Sequence, residues 1–146
     1  MVESPANERG AQFSPDGRWL AYESDESGRS EVYLRPFPGP GTRTQVSTGG
    51  GAQVRWRRDG RELFYVDLNG GLTAVPIGPS SRSDTLEVGA PALLFRAPLS
   101  EAVPRASGPL YMVSRDGQRF LIDAVVDDEG LSPISVILNW TPPGAN

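Results

Sequence analysis

Three Asp-Gly pairs, Asp16-Gly17, Asp59-Gly60 and Asp116-Gly117, are the recurring carboxylates of this 146-residue chain. A repeated carboxylate can serve as a general acid or as a calcium ligand. Four further groupings invite chemistry. Asp127-Asp128-Glu129 and Asp25-Glu26 could hold a cation. Gly49-Gly50-Gly51 could cradle a phosphate. Arg55, Arg57, Arg58 and Arg61 around Trp56 could bind an acidic peptide or a phosphate group.

Most of these readings fail on their own terms. The chain has no His and no Cys. That removes the commonest general base, the Ser-His-Asp arrangement, thiolate metal sites and most zinc sites. Neither acidic run follows the D-x-[DN]-x-[DN]-G pattern of a calcium loop. No Lys-Ser/Thr pair and no helical pattern follows the three glycines, so they read as a flexible link between strands. No serine lies in G-x-S-x-G. The reading therefore assigns no catalytic residue, no metal site and no cofactor.

The three Asp-Gly pairs gain a simpler meaning from their surroundings. FSPDGRWLAY at 13–22, WRRDGRELFYV at 56–66 and VSRDGQRFLI at 113–122 align. In each, Asp-Gly is followed by polar residues and then an apolar run. Pro15 suits the second position of a type I turn, Asp16 the third, and Gly17 the positive φ that rejoins two strands. Asp59-Gly60 and Asp116-Gly117 repeat the device, so all six residues are assigned to hairpin turns. The strands after the turns are apolar on both faces, as expected where a sheet is covered on each side.

A third strand follows each hairpin, at Glu31–Arg35, Leu72–Ile77 and Ile134–Trp140. Short strands at Thr44–Ser47 and Ala92–Phe95 precede the second and third hairpins. Counted as inner strands, they serve two of three units and leave the first without one. With 17 Gly, 14 Pro and a repeat near 40 residues, the pattern predicts an all-β fold. It consists of three four-stranded antiparallel blades of a β-propeller, at about 9–38, 43–78 and 91–141, the first blade lacking its inner strand. Three blades do not close a ring, so residues 1–146 read as part of a propeller, six-bladed when closed.

The motifs F-S-P-D-G-R-W-L-A-Y at 13–22 and S-D-E-S-G-R-S-E-V-Y at 24–33 resemble the WD40-like PD40 repeat of TolB-type propellers. R-P-F-P-G-P-G at 35–41, Q-V-S-T-G-G-G at 45–51 and P-I-S-V-I-L-N-W at 133–140 are similar to the C-terminal propeller segment of bacterial serine/threonine protein kinases. The resemblance implies a non-catalytic interaction or sensor module within a larger signalling protein, with a protein or peptide held at the propeller mouth. It also implies that the Asp-Gly turns share one end with the connections at 36–43 and 78–91, placing Arg57, Arg58 and Arg115 on one rim as partner-binding residues. The alternatives are an accessory propeller of a prolyl-oligopeptidase-type hydrolase and a half-propeller that dimerises to complete the ring. The net charge of −4 argues against nucleic acid as partner. No stretch approaches 18 apolar residues, so no membrane span is expected, and the compartment is left open.

Overall fold

In the computed structural model, residues 6–80, 85–97 and 108–123 are described, together with the backbone of 134–137. The strands are β1 (Glu8–Phe13), β2 (Trp19–Ser24), β3 (Glu31–Pro36), β4 (Thr44–Gln45), β5 (Ala52–Trp56), β6 (Glu62–Val66), β7 (Gly71–Pro79), β8 (Leu86–Val88), β9 (Ala92–Arg96), β10 (Tyr111–Val113), β11 (Phe120–Asp123) and β12 (Ile134–Ile137). No helix occurs among the described residues. Asp127-Asp128-Glu129, the loop at 100–107 and the end of the last expected strand lie outside them.

The Asp-Gly turns form as their sequence demands. Gly17, Gly60 and Gly117 take φ of 70°, 74° and 71°. Their amides donate to Ser14 O, Arg57 O and Ser114 O at 2.9, 3.0 and 2.9 Å. Each Asp accepts a bond from the amide two residues on: Arg18 at 3.1 Å, Arg61 at 3.1 Å and Gln118 at 3.0 Å. The three carboxylates are therefore turn residues, held by the local bonding that makes Asp favourable there.

The chain forms three antiparallel sheets. The first runs β1-β2-β3-β4 and the second β5-β6-β7-β8, with β9 also on β7; the third runs β10-β11-β12. The two short strands pair backward along the chain, not forward as their order suggests. Thr44–Gln45 pairs with β3, not with the hairpin that follows it. Ala92–Arg96 likewise pairs with β7. The first sheet thus has four strands and lacks none. The strand that precedes each Asp-Gly turn, β1, β5 or β10, supplies the opposite edge. β5 lies against β1 and β2 and touches β10. The physical reason is reach: two to five residues of extended chain carry no mark of which neighbour will take their backbone bonds. β8 was not anticipated; it arises within the 78–91 connection, where Leu86 and Val88 pack on the first core.

Two cores join the sheets. Trp19, Ala21, Val32 and Leu34 of the first sheet meet Val54, Leu63, Tyr65 and Val75 of the second. The other face of the second sheet, through Phe64, Val66 and Leu72, meets Tyr111, Phe120 and Ile122 of the third. Burying one such side chain stabilises the fold by about 1.5–3 kcal/mol. The doubly apolar pattern of β6 follows from this sandwich, since Leu63–Val66 are all buried. β11 departs from it and alternates, because Leu121 and Asp123 face outward on the third sheet.

Polar bonds also cross between sheets. β1 and β5 bulge at equivalent places, where Gly10 takes φ 63° and Gln53 takes φ 59°. A bulge frees an amide from the ladder. Glu23 Oε1 accepts from Gln53 N at 2.7 Å, across the first and second sheets. Gln53 Oε1 then accepts from Leu110 N at 3.1 Å, across the second and third. Val66 stands where Glu23 stands in the first repeat and has no acceptor to offer, so the Gln53 side chain takes that part.

Candidate functional site

The three Asp-Gly turns gather along one end of the molecule. A Cβ at Gly60 would lie 3.6 Å from Pro15 Cδ, and one at Gly117 would lie 3.0 Å from Arg57 Cδ. The connections expected at this end are there too. Phe37 N donates to Arg18 O at 2.8 Å. Gly78 and Leu86 share a cleft of about 300 Å³ with Asp16, Trp19 and Arg61. An adjoining cleft of about 330 Å³ adds Pro15, Trp56 and Asp59. Two tryptophans and Leu86 thus supply apolar wall, and Arg18 and Arg61, with Asp16 and Asp59, supply its charged lining.

The basic cluster around Trp56 is divided by the fold. Arg57 is committed locally, 3.4 Å from Asp59 and 3.5 Å from Glu62, with its stem against the third turn. Arg58 and Arg115 are exposed at the second positions of their turns. Arg61 lines the cleft. Arg55 belongs elsewhere: its guanidinium lies 6.0 Å from the centre of the Tyr111 ring and donates to Val54 O. Alternation along β5 sends neighbouring side chains to opposite faces, which separates residues adjacent in sequence. Arg18 and Trp19 went unnoticed as cleft residues. The D-G-R shared by 16–18 and 59–61 was the available signal.

Two of the turn carboxylates, Asp16 and Asp116, are held ionised. The Ser14 hydroxyl bonds the Asp16 carboxylate and, against a smaller opposing effect of burial, holds its pKa below the ordinary value; the Arg18 amide adds to this. Asp116 is lowered in the same way by Ser114 and then by the Gln118 amide. Such groups accept hydrogen bonds and are poorly suited to donating a proton near neutral pH.

The three-glycine segment is pinned rather than free. Gly50 N donates to both oxygens of the fully buried Glu31 at 3.0 Å. Ser47 Oγ and Arg29 Nε also donate to that carboxylate. Gly51 N bonds Ser30 O at 2.9 Å. A side-chain carboxylate therefore occupies the position that a phosphate would take on this loop.

Glu23 is the other buried carboxyl among the described residues. Burial raises its pKa, opposed by the Gln53 amide and by the charges of Arg9 and Arg55. The folded chain thus keeps this proton to higher pH than the unfolded chain. The stability it contributes is full below the ordinary carboxyl value and is lost as pH rises through the raised one. Glu23→Gln keeps an oxygen for Gln53 N and removes the titration. Urea unfolding of this variant is expected to show a flatter pH profile above about pH 4.5. Stability at pH 7 should equal or exceed that of the parent. A loss above about 1 kcal/mol at pH 7 would mean that pairing with the two arginines outweighs desolvation.

Comparison with known proteins agrees with this architecture. The chain is similar in structure to TolB from Acinetobacter baumannii, a β-propeller protein, with TM-score 0.63 and 17% identity over 95% of this chain. It spans 31% of the TolB chain. An oligogalacturonate lyase from Vibrio parahaemolyticus gives TM-score 0.48 and 18% identity, and an oligogalacturonate lyase in complex with manganese gives 0.47 and 20%. Each of these covers 75% of this chain and 26% of its own. No protein-family model and no curated protein matches the sequence. The fold is a TolB-like all-β propeller arrangement.

Proposed function

We propose that this chain is a non-catalytic propeller module that binds a protein or peptide segment along the rim of its Asp-Gly turns. The observation that carries the reading is the row of turns itself. It sets the Trp19–Trp56 cleft beside Arg18 and Arg61, with exposed Arg58 and Arg115 further along. Apolar wall with guanidinium edges suits an extended peptide carrying acidic side chains between apolar ones. The similarity of 35–41, 45–51 and 133–140 to kinase-attached propellers supports placing the module in a larger bacterial signalling protein, a serine/threonine kinase among them.

Fluorescence anisotropy tests this with a labelled peptide of alternating Glu and Leu, and with its Lys-for-Glu counterpart. The acidic peptide is expected to bind and the basic one to bind at least tenfold more weakly. Arg18→Glu with Arg61→Glu should abolish the difference while leaving the circular dichroism unchanged. Equal binding of both peptides, or an undisturbed preference in the double variant, would remove the rim from consideration.

A further inference from the structure

Among the described residues, exposed positions on the first and third sheets repeat the two halves of the interface that joins sheets within the chain. Between the first and second sheets, the first contributes Ala21, Glu23 and Gln12 O. The second contributes Leu63, the Gln53 amide and Trp56, whose Nε1 donates to Gln12 O at 3.2 Å. The equivalent residues can be counted from the Asp-Gly pairs. On the third sheet, Leu121 stands where Ala21 stands and Asp123 where Glu23 stands, with Met112 at the place of Gln12. All three are exposed, Met112 at 61% and Leu121 at 41%. On the first sheet, Phe13 stands at the place of Trp56, Leu20 at that of Leu63, and Gly10 at that of Gln53, with the same left-handed bulge. Phe13 is 56% exposed and meets Phe37 in an edge-to-face contact at 4.9 Å.

We propose that the third sheet of one copy docks on the first sheet of a second copy, in the register that already joins sheets within the chain. In that register the Asp123 carboxylate accepts the bulge amide of the partner copy's first sheet, as Glu23 accepts that of Gln53. Leu121 and Met112 cover the edge marked by Phe13. Continuity with the two internal interfaces favours this occupant: the open faces differ from each other, so like-on-like contact would match neither. The contact is head-to-tail, and two copies of three sheets close a ring of six. The side of the first sheet beyond Leu20 stays outside the contact, because Tyr22 and Tyr33 there are already buried, 5% and 4% exposed, with the Arg43 guanidinium 5.4 Å from the centre of the Tyr33 ring.

The chain has no cysteine, which makes the register directly testable. Leu121→Cys and Phe13→Cys proteins are mixed and oxidised. A disulfide-linked species containing one of each is expected, in at least fivefold excess over either like pair. Light scattering of the parent at 100 μM should give twice the chain mass. Leu121→Glu, at an exposed position, should give the chain mass with unchanged circular dichroism. Asp123→Ala should weaken the dimer at least fivefold. A parent of single-chain mass overturns the proposal, as does preferential linkage of Leu121→Cys to itself.

Discussion

Replacing Phe64 by alanine is expected to remove about 3–5 kcal/mol of stability, the usual range for a large aromatic lost from a packed core. Phe64 is fully buried between the second and third sheets. Its ring meets Phe120 edge to face at 5.1 Å, and Phe120 also meets Phe95 at 5.8 Å. Truncation would leave a void walled by strands of two different sheets, which cannot close without moving one against the other. Domains of this size hold roughly 5–15 kcal/mol in total, so the variant is expected to unfold at a much lower urea concentration. Leu68→Ala is the matched control: 41% exposed, it should cost under about 1 kcal/mol. Similar midpoints for the two variants would show that the second and third sheets do not share this core.

The second large effect belongs to a carboxylate. Glu31→Ala is expected to cost about 3 kcal/mol, because it leaves the Gly50 amide and the Ser47 hydroxyl buried without their acceptor. Arg29 adds less, since its side chain is about half exposed and can return to water. Glu31→Gln separates shape from charge. Both oxygens of Glu31 accept bonds, and Gln would turn an NH₂ toward one of these donors. The isosteric variant is therefore expected to lose most of the same stability. Amide hydrogen exchange at Gly50 and Gly51 should quicken in both variants, as the link between β4 and β5 comes loose. Unchanged protection there would mean that the Gly51–Ser30 backbone bond alone holds the segment.

These two positions also mark how far the sequence could be read. Phe64 was legible as core, because Leu63–Val66 is an unbroken apolar run and a strand so composed must be covered on both faces. Glu31 was not legible as an anchor. Its partners lie 16 and 19 residues away, and a lone Glu opening a strand reads as solvated charge. Glu23 is the same case, its partner 30 residues on. The rim was half legible. The turns and their gathering at one end were expected, but not that Arg57 would tie two turns together while Arg18 and Arg61 line the cleft.

The Asp-Gly turns, the hairpins they close and the all-β repeat follow from local sequence alone. Those features rest on bonds spanning a few residues, such as Gly17 N to Ser14 O and Arg18 N to Asp16, and the residue types needed for them are written in place. Tertiary structure alone decided which sheet received Thr44–Gln45 and Ala92–Arg96, which carboxylates were buried, and which face of the third sheet stayed open. Each depends on what lies across a gap of many residues. A short strand takes whichever edge leaves the fewest backbone groups unpaired, and only the assembled sheets present that edge.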